Sequence, residues 1–112
     1  MGLEELPTQL WLSAEIRRCN QDGTPVVVLH RGDPDRGTVI VRVDTLGQGI
    51  RIFTRAYGPE GHIQWTPALD GAAVDGEAAD AYVARCLNWD PDAWVVEAEE
   101  RSGDNPFAAG FP

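Results

Sequence analysis

Lysine is absent: all nine cationic side chains in this 112-residue chain are arginine. A G+C-rich genome explains that bias without function. It still matters chemically, because arginine's planar fork suits carboxylates and phosphates, where lysine is a mobile point charge. Positive charge is also scarce. Eighteen carboxylates outweigh the arginines and leave a formal charge of −9. Nucleic-acid binding is driven by cations that displace counterions, so this balance speaks against a nucleic-acid partner. No apolar run approaches the ~20 residues needed to cross a bilayer. The opening MGLEELPTQLW lacks the basic start and apolar stretch of a secretory signal. Leu6 stands where a myristoylated Gly2 would require Ser or Thr. Cysteine is limited to Cys19 and Cys86, with no CxxC spacing, so a disulfide forms only if the two elements that carry them face each other. The expectation is a cytoplasmic protein with two reduced, mostly buried thiols and no membrane contact.

Apolar residues make up 43% of the chain, enough for one globular core. A single domain over 1–112 is expected, with a short leader at 1–7 and an irregular tail at 101–112. Over 8–22 two patterns compete. Leu10, Leu12, Ala14 and Ile16 alternate as in a strand, whereas Leu12, Ile16 and Cys19 repeat at helical spacing. Thr8 as N-cap and Gly23 beyond the last turn favour the helix. The β-branched run 26–30 reads as a strand too apolar on both sides for an exposed edge. The turn-rich RGDPDRG then leads into a strand over 38–43, predicting a hairpin. Strands over 50–55 and 62–66 complete a four-stranded meander. Asp75 caps a helix over 76–88, in which Ala79, Tyr82, Val83, Cys86 and Leu87 share one face. Asp90-Pro91-Asp92 ends it. A last strand over 93–99 carries Trp94, Val96 and Ala98 on one face, expected beneath helix 76–88 against Tyr82 or Leu87. The fold class is therefore α+β, in the order α-β-β-β-β-α-β, with a single mainly antiparallel sheet and two packed helices.

Catalytic chemistry finds little support. Ser13 and Ser102 lie in no nucleophile elbow, and His30 and His62 sit at strand ends with no local cysteine partner. Asp90, Asp92, Glu97, Glu99, Glu100 and Asp104 make an acidic C-terminal third without the spacing of a calcium loop. No zinc motif, P-loop or dinucleotide fingerprint occurs, so no catalytic residue, metal or cofactor is assigned. One anion-binding constellation stands out: Arg17, Arg18, Arg31 and Arg42, with Arg36 and Arg55 nearby, could clamp a phosphate or carboxylate. The competing arrangement is ion pairing, the strand arginines with Glu97 and Glu99, and Arg17 and Arg18 with the helix C-terminus. Arg31-Gly32-Asp33 is read as a turn rather than an adhesion motif, and Asn105-Pro106-Phe107 as a turn with a docking aromatic. Trp11, Trp65, Trp89 and Trp94 are expected in packing.

Three stretches, LPTQLWLSAEIRRCN, HRGDPDRGTVIVRV and ADAYVARCLNWDPDAWVVEAEERSGDNPF, resemble a family of small alphaproteobacterial proteins known as a domain of unknown function. The likeness spans nearly the whole chain and is weakest over 44–75. It rests on Trp11, Arg17-Arg18, Arg31-Gly32-Asp33, Gly37, Trp65, Asp80-Ala81-Tyr82, Arg85, Asp90-Pro91-Asp92, Trp94-Val95-Val96-Glu97 and Phe107. The resemblance implies a bacterial, cytoplasmic setting and brings no catalytic residue, substrate or cofactor. The functional expectation is a non-catalytic module that binds another protein, a homodimer being one form this could take. The alternative is an enzyme or binder of an anionic small molecule at the arginine cluster.

Overall fold

The computed structural model describes residues 6–109, so most of the 1–7 leader, with Gly2, and the last three residues lie outside it. The elements are α1 (Thr8–Gln21), β1 (Val26–His30), β2 (Val39–Asp44), β3 (Ile50–Tyr57), β4 (Ile63–Pro67), α2 (Gly76–Trp89) and β5 (Trp94–Glu99). The α+β class and its element order stand as read from the sequence. Helical spacing prevails over alternation in α1, burying Trp11, Leu12, Glu15 and Cys19 on one side. Its start differs from expectation. Pro7 is the N-cap and Thr8 the first helical residue. The free N–H groups of Thr8 and Gln9 donate to the carbonyls of Asp35 and Pro34 at 3.1 and 2.8 Å. A loop distant in sequence thus does the work of a cap. Gly23 ends the helix at φ +87°, as expected of a glycine there. In α2 the Asp75 carboxylate accepts from the Ala78 N–H at 2.8 Å, the expected cap.

The sheet order is β1-β5-β2-β3-β4, with only β2 and β5 parallel. This corrects the expected hairpin between β1 and β2, because β5 lies between them. The directions of β1 and β2 are those of a hairpin, and residues 31–38 cross the width of one interposed strand, two spacings of about 4.8 Å. Turn composition alone cannot distinguish adjacent strands from a pair split in this way. Burial decides which strand goes inside. Trp94, Val95 and Val96 are buried on both faces of β5, as parallel strands in sheet centres are. The run 26–30 goes to the edge instead, where Val27, Val28 and Leu29 are exposed.

The helices cover opposite faces. Trp11, Leu12 and Cys19 of α1 pack with Val39, Val41, Val43, Trp94, Val96 and Ala98. Ala79 and Val83 of α2 pack with Ile40, Ile50, Ile52, Ala93 and Val95. Trp94 therefore lies against α1 rather than beneath α2, a second correction. The α1 side leaves room for it: a Cβ on Gly37 would sit 2.7 Å from the indole Cδ1. Among the tryptophans, Trp11 and Trp94 are buried and Trp65 half-buried, but Trp89 at the end of α2 is 90% exposed. The tail is not wholly irregular. Pro106–Ala109 form a 3-10 turn that seats Phe107, fully buried, with its ring 6.2 Å from Trp11 and 6.4 Å from Trp65.

Candidate functional site

The four arginines proposed as an anion clamp are held in different places. Arg18, on the α1 side, donates to Glu15 at 3.0 Å and to the Pro106 carbonyl at 2.7 Å. The bond to Glu15 raises its already high proton affinity. Arg42 projects from β2 on the opposite face, where it is nearly buried between Asp80 of α2 and Glu97 of β5, the latter at 3.2 Å. Arg31 lies over the Trp94 ring at 5.2 Å, and Arg17 is exposed on α1. The sheet stands between Arg18 and Arg42, so the structure does not bring the four together. Of the expected pairings with Glu97 and Glu99, the one between Arg42 and Glu97 is present. Arg55 is buried on the α1 face, its guanidinium 3.8 Å from the centre of the Trp11 ring. A cavity beside it, lined by Thr8, Arg36, Gly37 and Tyr57, holds ≈ 30 Å³. That is room for water alone and far below the roughly 300 Å³ at which small-molecule pockets begin.

Arg31-Gly32-Asp33 forms a clasp on the entry to β5. Asp33 donates its N–H to the Asp92 carbonyl at 2.8 Å, and its own carbonyl accepts the Trp94 indole N–H at 2.7 Å. Its carboxylate accepts from the N–H groups of Asp35 and Arg36, and these bonds, Arg36 foremost, hold its pKa below the usual aspartate value. A Cβ on Gly32 would overlap the Asp92 carbonyl, so only glycine fits there. His30 adds a bond from Nδ1 to the Ala93 carbonyl at 3.0 Å. These residues lock the loop after β1 to the strand beside it.

The two thiols lie on opposite sides of the sheet. Cys19 is buried under α1, and burial pushes its pKa up. Cys86, on α2, is half-buried rather than enclosed. It neighbours the Tyr82 hydroxyl, whose pKa rises mainly through burial and further through the thiol beside it. Among the described residues no group of His, Cys, Asp and Glu could hold a metal ion, and no helix is long and apolar enough to cross a membrane.

The most unusual surface is the β1 edge. Val27 and Leu29 are 55% and 52% exposed and Val28 38%. No residue from Gly23 to His30 is charged. Edges normally carry charges, prolines or cover against unwanted pairing. The other edge, β4, is built that way, with polar Gln64 and Thr66 exposed and Pro67 at its end. The sequence pattern did contain this surface: apolar residues on both sides of 26–30 signal either a central strand or an unguarded edge, and periodicity does not separate the two.

A five-stranded mixed sheet with one helix on each face and an apolar edge strand defines the class of small α+β domain. Residues 6–108 match the family model described as "Protein of unknown function (DUF1491)", and the chain belongs to that family. It is similar to the crystal structure of a DUF1491 family protein from Caulobacter crescentus CB15, with 35% identity and a TM-score of 0.76, over 91% of this chain and 94% of that one. An NMR structure of a DUF1491 family protein from the same organism gives 34% identity and a TM-score of 0.77, over 91% and 92%. The solution structure of a protein from A. tumefaciens gives 26% and 0.73, over 85% and 86%. A comparison with curated proteins returns no match.

Proposed function

We propose that this protein is a non-catalytic interaction module whose contact surface is the edge strand β1. The supporting observation is the exposure of Val27, Val28 and Leu29 along an edge without a charge or a proline inside it. Exposed apolar surface of this kind costs solubility unless something covers it, and in soluble proteins it marks interaction sites. The dispersal of Arg17, Arg18, Arg31 and Arg42 leaves no comparable support for an anion clamp.

A photo-reactive amino acid placed at Leu29 tests the reading in the native host. It is expected to give a discrete adduct to one protein, identified by mass spectrometry. The same group at Gln64 on the opposite edge is expected to give none. Equal labelling from both positions, or none from Leu29, contradicts the proposal.

A further inference from the structure

We infer that β1 accepts an extended, basic segment of a partner protein as a sixth strand, with apolar residues at alternate positions and Lys or Arg at its ends. The inference rests on the interaction reading above and gives it a binding mode and a partner chemistry. Backbone geometry comes first. Antiparallel ladders alternate between bonded and outward-facing residues. The bond from the Glu99 N–H to the Pro25 carbonyl sets the phase here. With Val27 opposite Glu97, Val27 bonds β5, whereas Val26 and Val28 turn their N–H and C=O groups outward. Asn20 Oδ1 accepts the Val26 N–H at 3.3 Å. Val28 thus offers a donor and an acceptor, and Val26 an acceptor, to an added strand. A bulge between Val28 and His30 ends the regular ladder, so the backbone contact is short and side chains must supply much of the affinity.

Side chains set the partner's chemistry. Val27 shares its face with Glu97, its cross-strand neighbour, which already pairs with Arg42 at 3.2 Å, and with Glu99 one pleat further along β5. Asp22, within 3.5 Å of Arg18, stands before β1, while Asp33 and Asp92 lie together beyond its end, where Arg31 lies over the Trp94 ring. The strand between these carboxylates is neutral and apolar, and the whole chain carries −9. A second copy would bring another −9 to the same place, whereas a basic segment is drawn in at long range by that net charge and meets an excess of carboxylates, Glu99 and Asp92 among them, around the strand. Charge complementarity therefore favours a basic partner over self-pairing.

The probe is the acetylated, amidated peptide Lys-Lys-Val-Thr-Val-Thr-Val-Lys-Lys, titrated into the full chain and followed by amide NMR and hydrogen exchange. Saturable shifts centred on Val26–His30 are expected, together with slowed exchange at the Val28 amide. A peptide with Glu in place of every Lys should bind on the order of tenfold more weakly or worse. N-methylation of alternate amides, which removes ladder donors and keeps the charge, should abolish the Val28 protection. Val27→Lys, at an exposed position, should weaken binding of the basic peptide without changing the melting temperature.

Shifts scattered over the acidic surface without Val28 protection would show mere electrostatic adsorption and overturn the inference. A free protein of doubled mass, whose Val28 amide is protected in a concentration-dependent way, would put a second copy on the edge and overturn it equally. Failure of the peptide while the Leu29 photo-adduct forms would reject the strand-addition chemistry and leave the interaction reading standing. Loss of both would reject both.

Discussion

The indole N–H of Trp94 donates to the main-chain carbonyl of Asp33 at 2.7 Å, joining two residues 61 positions apart. That bond ties the loop after β1 to the first residue of β5, and so fixes the edge strand beside its neighbour. Trp94 is also almost fully buried against α1. Trp94→Ala should therefore cost roughly 3–5 kcal/mol, the usual range for removing a large core aromatic. Trp94→Phe retains most of the ring and loses the donor, leaving a carbonyl without its partner, and should cost about 1–3 kcal/mol. Urea denaturation of the two variants checks the order; equal, negligible losses would contradict the core assignment.

Asp33 also predicts a pH dependence. Its pKa is depressed in the folded state by the Arg36 and Asp35 N–H groups. The folded state thus binds this proton less readily than the unfolded state. The resulting stability is present above the unfolded value of about 3.9 and is lost as pH falls through the lower folded value. Asp33→Asn keeps an oxygen for both bonds and removes the titration. Its melting temperature should fall less steeply than the wild type's from about pH 5 down to pH 3, as thermal melts across that range would show.

The cysteines should separate kinetically. Cys19 is buried with a raised pKa, which lowers both access and thiolate content, whereas Cys86 is half-buried on the other face. A thiol reagent at mildly alkaline pH should modify Cys86 in the native protein, and Cys19 only on unfolding. Peptide mapping of the labelled protein distinguishes the two sites, and the opposite order would contradict the burial pattern.

Leu46, in the turn between β2 and β3, has φ +62° and an exposed side chain. A left-handed conformation costs a non-glycine residue roughly 1–2 kcal/mol. Leu46→Gly removes that strain but adds unfolded-state freedom worth somewhat under 1 kcal/mol. The net expectation is a gain of up to about 1 kcal/mol, visible as a raised denaturation midpoint. A lowered midpoint would mean that Leu46 makes contacts worth more than its strain.

Much of this molecule was legible in local pattern. Both helices, the order of the five strands along the chain, the Asp75 cap and the turn at Gly23 follow from side-chain periodicity and backbone preferences acting over a few residues. Pairing is different, because it depends on which surfaces compete for the same buried place. The hairpin expected between β1 and β2 has the right strand directions, yet β5, buried on both faces, takes the position between them. Trp94 packs on the α1 face with Val96 and Ala98, where Gly32 and Gly37 leave room for loop and indole. The four arginines show the same division. Their spacing could describe a clamp, but strand parity sends Arg42 to the face opposite Arg18, and each finds carboxylates there. The sequence by itself determined the elements, since these rest on interactions between near neighbours. Only the tertiary structure decided the strand order, the helix above Trp94 and the exposed edge, since burying one apolar strand in the centre leaves another uncovered.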